Sequence, residues 1–419
     1  MKGETLTEWR RFLGWDVPEM ARRLRTAAGD ASLPSHDSVI RMIRRWERGT
    51  YGMSERYELL YAAAVGVDPR DLSAGPAYEV VSTTPEGDGG PVDRREFGIA
   101  AFGLLAAGVV AKARIPHSVS AEHVEVLRHA TAQLWTRDRQ VGGTALLREA
   151  AGHYAMARSM LDNSSYTSAV GLQLQVVTAE LAACAGFIAF DAARQQTARD
   201  LFTESVLLAD SAGAPLLVAH AHALLALQCS SLAASADWPV GLAREAMRFL
   251  DQAAAAARSV ASPRVHSLVS MRRATASALL GDEAGVGLHI AAARRELDRG
   301  DHPADPGWAA FVTPTEATAH EAAARLNLGQ PGIAADLFRD VASDGALDSR
   351  NQIFYRVQLA RSLCAAGDYS EAVAEGLAVL PALDGPVRSA RTMNSLRSIR
   401  RHTAPDSEFA VRFDAIAVA

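Results

Sequence analysis

Four arginines, Arg41, Arg44, Arg45 and Arg48, crowd into residues 41–48. They are interleaved with Val39, Ile43 and Trp46, whose i, i+4, i+7 spacing puts the three on one side of a helix. One side can lock into a small core while the other holds out planar guanidinium forks. Those forks match phosphates and guanine edges, so the chemistry suggested is DNA reading. Ser38 or Asp37 is placed to cap the helix and Gly49 to end it. Ser38 is counted with the arginines as a DNA contact. Arg22 and Arg23 join them from the outward face of the preceding helix.

The elements that must hold this helix are short. Asp16 is expected to cap a helix from Val17 to about Ala27, with Met20, Ala21 and Leu24 inward. A loop at Gly29–Ser35 leads into the basic helix. Ser54 opens another helix, Glu55 to Val65, whose expected inward residues are Leu59, Leu60 and Ala63. The unit closes near residue 75. A Gly-, Pro- and Ser-rich stretch without periodicity, 76–95, reads as a linker. The apolar run Ile99–Ala111 follows Arg94-Arg95 and mimics an export signal, but it is internal and too short to span a bilayer as a helix. It is expected to form a connecting helix within 96–115.

Composition bounds what the 419 residues can be. Net charge is −5, so the basic footprint is local: residues 38–48 carry four arginines against Glu47. Hydrophobic residues make up 49% and aromatics only 6%, which favours closely packed Ala- and Leu-rich helices and an all-α fold. The three cysteines, Cys184, Cys229 and Cys364, are widely spaced in apolar runs, as expected of buried free thiols in a reducing cytoplasm. Met1–Thr5 is not followed by the apolar core of a signal peptide. No metal-ligand cluster, phosphate loop or nucleophile–base set stands out, so neither cofactor nor enzymatic activity is expected. His220 and His222, two apart, do not share a helix face.

From about residue 119 to 405 the sequence repeats a register. A small residue with a bulky one four later recurs at Ala198/Phe202, Ala243/Met247, Val286/Ile290 and Ala334/Phe338, and a small residue again at Ala372. The interval is roughly 38–48 residues, against 34 for a strict tetratricopeptide repeat. Residues 406–419 read as a weakly helical tail. Within the repeats, Asn351, Tyr355 and Gln358 form a polar strip at i, i+4, i+7, with Ile353, Phe354, Val357 and Leu359 expected on the buried side. Such a strip can meet an extended ligand. Trp308, in Asp305-Pro306-Gly307-Trp308, is a second candidate contact.

Two stretches carry a resemblance. Trp46-Glu47-Arg48-Gly49, a helix, then Val65-Gly66-Val67-Asp68-Pro69-Arg70-Asp71-Leu72 resembles the second half of an XRE-family (Cro/repressor-like) helix-turn-helix domain. Gly14-Trp15-Asp16-Val17-Pro18-Glu19-Met20-Ala21-Arg22-Arg23-Leu24 is similar to its first half. The link before the basic helix is longer than the family's tight turn, and Val17 stands where the family has a phosphate-binding Gln. Gly367-Asp368-Tyr369 with Glu371-Ala372 resembles a tetratricopeptide turn. Together these imply a regulator that binds double-stranded DNA as a homodimer through residues 1–75. A tetratricopeptide-like solenoid would then dimerise and sense a peptide, small-molecule or protein effector, with no membrane involved. The alternative is an interaction scaffold whose helix-turn-helix no longer reads DNA.

Overall fold

The computed structural model describes residues 6–7, 10, 15–28, 33–49, 52–65, 115–234 and 239–418. The linker at 76–95, the connecting helix apart from Ile115, and Gly66–Leu72 lie outside these residues. All regular structure among them is helical, and the chain divides into two compact units, Met1–Pro91 and Val92–Ala419.

The first unit contains α1 (Val17–Ala27), α2 (His36–Glu47) and α3 (Glu55–Val65). Asp16 caps α1, its Oδ1 accepting from the Glu19 amide at 2.6 Å. Helix α2 starts earlier than its sequence indicates. Ser35 is the residue before its first turn, and Ser38 lies inside that turn with its Oγ 2.9 Å from Ser35 Oγ. Ser38 is therefore not the cap. At the other end, Gly49 takes φ +67° and stops the helix.

Val39, Ile43 and Trp46 are buried with Met20, Leu24 and Leu33. The phase of α3 differs from expectation: Leu59 is 50% exposed and Leu60 only half-buried, while Tyr61, Ala62 and Val65 are buried. The side chain of Ala63 lies outside the described residues. Tyr61 wins the core because its ring fills more space and its Oη donates to the Leu6 carbonyl at 3.0 Å.

The second unit is an array of antiparallel hairpins. The pairs are α4 (Ala121–Val141) with α5 (Gly143–Asn163), α6 (Ser168–Asp191) with α7 (Gln195–Ser211), and α8 (Pro215–Ala233) with α9 (Pro239–Ala257). Next come α10 (Pro263–Leu279) with α11 (Glu283–Leu297), α12 (Pro314–Asn327) with α13 (Pro331–Ala342), and α14 (Ser349–Ala366) with α15 (Tyr369–Asp384). A short 3-10 turn, Gly307–Phe311, precedes α12.

Local chemistry sets the helix ends. Pro opens α8, α10, α12 and α13, where its missing N–H costs nothing. Thr167, Ser262, Asp282, Thr313 and Asp368 accept from first-turn amides. The hairpin turns need a left-handed residue, which Gly281, Gly329 and Gly367 supply, while Ala193 takes φ +59° at the equivalent place before α7.

The repeated small residues sit where second helices meet their partners: Ala198, Ala243, Val286, Ala334 and Ala372 are all buried. Helices α6 and α8 are long and apolar enough to cross a membrane, yet 67% and 72% of their most apolar windows are buried inside the unit. A helix with neighbours on every side is apolar all round.

Beyond α15 the chain adds α16 (Ala390–Ser395), α17 (Arg397–Arg400) and α18 (Glu408–Val418). The last is not a loose tail. Phe409 and Phe413 are buried, and the Phe409 ring occupies the space a Cβ on Gly376 would need.

The array closes on itself. The Arg388 amide donates to the Val141 carbonyl at 2.7 Å, and the Thr144 amide to the Arg388 carbonyl at 3.0 Å. Arg139 pairs with Asp348 at 3.0 Å, so the first and last hairpins meet.

Candidate functional site

In the first unit the arginines of α2 divide from its core as their spacing requires. Arg41, Arg44, Arg45 and Arg48 are exposed, as are Arg22 and Arg23 on α1. Arg41 Nη2 donates to Ser38 Oγ at 3.0 Å, and Arg48 Nε to the Arg44 carbonyl at 2.9 Å. Arg22 and Arg23 both pair with Glu19, at 2.7 and 2.9 Å, and Arg23 lies over the Trp15 ring.

Glu47, the one acid among these arginines, is withdrawn from the surface. Arg10 grips both its carboxylate oxygens, at 2.5 and 2.8 Å, and both side chains are largely buried. The outward face of α2 thus shows more positive charge than its sequence count, offset by the exposed Asp37 in its first turn.

In the second unit the first helices of the hairpins surround a cavity of about 540 Å³. Asn351, Tyr355, Gln358 and Trp308, the residues singled out from sequence, all line it. Two of them are already engaged. Tyr355 Oη donates to Glu316, and Gln358 Oε1 accepts from Arg361 at 2.7 Å. Phe354, expected on the opposite side, lines the cavity as well, because it stands three residues after Asn351 and four before Gln358 and so shares their face of α14. Trp308 is in the 3-10 turn and stacks on His220, ring centroids 3.8 Å apart and 3° from parallel. His222 faces elsewhere and packs near Phe249.

Behind one wall lies a buried ion cluster that joins distant segments. Asp191, at the end of α6, accepts from the Gly143 amide and Ser389 Oγ, each at 2.9 Å, and from Arg391 Nε at 3.1 Å. Burial pushes its carboxyl up, but Arg391, Arg350 and these hydrogen bonds outweigh that and hold it below the usual aspartate range. Arg350 lies between Asp138 at 3.3 Å and Asp191 at 3.8 Å, over the Phe187 ring. Asp138, whose carboxylate oxygens accept no hydrogen bond, is pushed up to about 6 by burial, against the pull of Arg350.

Further round the wall, Glu316 is also pushed up by burial. His220 and His320 are both pushed down to about 3 by burial and by the charge of Arg272. Arg272 is 6% exposed, yet its Nε and Nη1 have no hydrogen-bond partner. Burial brings it down to about 10, which leaves it a cation at neutral pH.

Sequence reasoning passed over Asp138, Asp191, Arg272, Glu316 and Arg391. For Arg272 a signal existed: it falls in phase with Val265, Leu268 and Ala276, so a charge stands on an apolar stripe. Nothing local marks Asp138, Asp191 or Arg391, whose significance is their meeting. Among the described residues no group of three or more His, Cys, Asp or Glu side chains is placed to hold a metal ion. Cys184, Cys229 and Cys364 are buried free thiols. The chain matches no family model and no curated protein.

Proposed function

We propose that the chain is a DNA-binding transcriptional regulator. Its first unit is read as a helix-turn-helix with α2 as recognition helix, and its second as a tetratricopeptide-like solenoid that receives an effector. The observation that carries the reading is the two-faced α2. Val39, Ile43 and Trp46 are sunk in a core, four arginines stand outward, and the one intervening acid is turned inward onto Arg10. An arginine face on a helix anchored this way fits the width of a major groove.

Residues 28–35 separate α1 from α2, so the docking angle of a tight helix-turn-helix does not carry over to this pair. Arg22 and Arg23, held by Glu19 at the end of the facing helix, are suited to backbone phosphates. Two such modules in a homodimer would reach two half-sites, since one module alone buries little DNA surface.

Selection of bound fragments from a random or genomic DNA pool by the full-length protein, followed by mobility shift of the recovered sequences, tests this. A shared motif, and binding that weakens as salt rises, are expected. Retention of no DNA at low salt would leave the scaffold reading in its place.

A further inference from the structure

We propose that the cavity of the helical array is a binding site for a small aromatic acid, whose carboxylate pairs with Arg272 and whose ring lies against the aromatic wall. The claim gives the effector of the proposed regulator its chemistry, and only its regulatory meaning rests on that reading.

The first ground is an unanswered charge. A guanidinium taken out of water is costly unless a partner compensates it. Of the other arginines of the wall, Arg350 has Asp138 and Asp191, Arg391 has Asp191, and Arg361 has the Gln358 amide oxygen as hydrogen-bond acceptor. Arg272 lines the same cavity with two nitrogens unpaired. The nearby carboxylate, Glu316, is bonded by Tyr355 Oη and faces His320 at 3.7 Å.

The second ground is convergence. Trp135 and Arg350 also line this cavity, and Trp135 Nε1 and Arg350 Nε lack hydrogen-bond partners, as do both carboxylate oxygens of Asp138 and Nδ1 of His220. The arginines and Trp135 among these are donors that call for acceptor oxygens, and the carboxylate of Asp138 is already the ion-pair partner of Arg350. The lining holds seven arginines against two carboxylates, and counting Asp191 behind the wall leaves an excess of positive charge. Planar, forked donors in a dry site are the usual partners of carboxylates.

The third ground is shape. Trp308 stacked on His220, Trp135 5.7 Å from Phe187, and Phe354 under Arg391 make flat apolar surfaces. About 540 Å³ is within the range of small-ligand pockets. An extended peptide is less well served, because the Tyr355 hydroxyl and the Gln358 amide oxygen are spent within the wall.

The test uses the full-length protein with matched pairs of benzoate and benzamide, 2-naphthoate and 2-naphthamide, and anthracene-9-carboxylate and its amide. Binding is read by thermal shift and by quenching of tryptophan fluorescence. At least one acid should bind about tenfold more tightly than its amide, a difference of about 1.4 kcal/mol. Arg272→Gln should abolish that preference. Its unliganded form should melt close to the wild type, because removing a buried charge offsets the lost attraction between Arg272 and Glu316. Arg272→Lys, which keeps the charge but loses the fork, should retain only part of the preference.

Equal binding of acids and amides, no binding of any acid, or an acid preference that survives in both variants would overturn the proposal. DNA binding by the wild type, measured without acid, separates the two readings. Acid binding without DNA binding sinks the regulator reading alone, and DNA binding without acid binding sinks this one alone.

Discussion

His220 offers a direct test of how the interior of the helical array handles charge. Its imidazole is 4% exposed, stacks on Trp308, has no hydrogen-bond partner at Nδ1, and is pushed down to about 3 by burial and by Arg272. In the unfolded chain it titrates near the ordinary value of about 6.5. The folded pKa is therefore depressed, so between roughly pH 3 and 6.5 the unfolded state binds the extra proton. Stability must then fall as pH is lowered through that window.

From pH 7 to pH 5 the unfolded imidazole goes from mostly neutral to almost fully charged while the folded one stays neutral. That difference is about 2 kcal/mol from this residue alone. It hardly depends on where the folded group titrates, provided that is below about 4.5. Asp138, pushed up to about 6, acts in the opposite direction over the same range, and His320 acts in the same direction as His220. The wild-type profile is thus a composite, and a difference between variants isolates the one group.

His220→Phe keeps an aromatic ring against Trp308 and removes the titration. Urea unfolding of wild type and variant at pH 7 and pH 5, at fixed ionic strength, gives the four free energies. The variant's loss between the two pH values should be smaller by about 2 kcal/mol. An identical loss in both proteins would mean that His220 takes up its proton in the folded protein as readily as in the unfolded chain, and the account of the cavity wall as a buried, positive interior would fail.

Other expectations follow from the same structure. A Cβ on Gly186 would come within 2.6 Å of the Phe202 ring, so Gly186→Ala should cost about 1–3 kcal/mol and lower the melting temperature, as calorimetry would read. If α2 reads DNA, Arg41→Ala should cost about 1–3 kcal/mol and relax preference at one base position in a selection experiment. Arg45→Ala should instead weaken all sequences alike and reduce the salt slope by about one. Light scattering at micromolar concentration should report a homodimer, with or without DNA; a monomer in both conditions would count against paired half-sites.

How much of this was open to a reader of the sequence depends on the distance over which each feature is decided. Val39, Ile43 and Trp46 were legible as one buried face because a helix repeats every 3.6 residues, and that period is local. Ala198, Ala243, Val286, Ala334 and Ala372 were legible for the same reason, helped by Pro at helix starts and Gly at hairpin turns. Asn351, Tyr355, Gln358 and Trp308 could be marked by type and spacing, though not the cavity they share. The phase of α3 was misjudged because Leu59 and Tyr61 are both apolar enough for the core, and only the position of the Leu6 carbonyl chose between them.

The C-terminal helix was underestimated because its two phenylalanines have nothing local to pack on; their pocket is made by Gly376. The ion cluster lay beyond local reading altogether. Asp191 meets Ser389 and Arg391 across about two hundred residues because small rotations between successive hairpins add up until the array closes. Residue types and their spacing determine which helices form and, for α2 and the second helices of the hairpins, which face is buried. Only the accumulated curvature decides that Arg272, Arg350 and Trp135 look into one space, and that Arg272 does so without a partner.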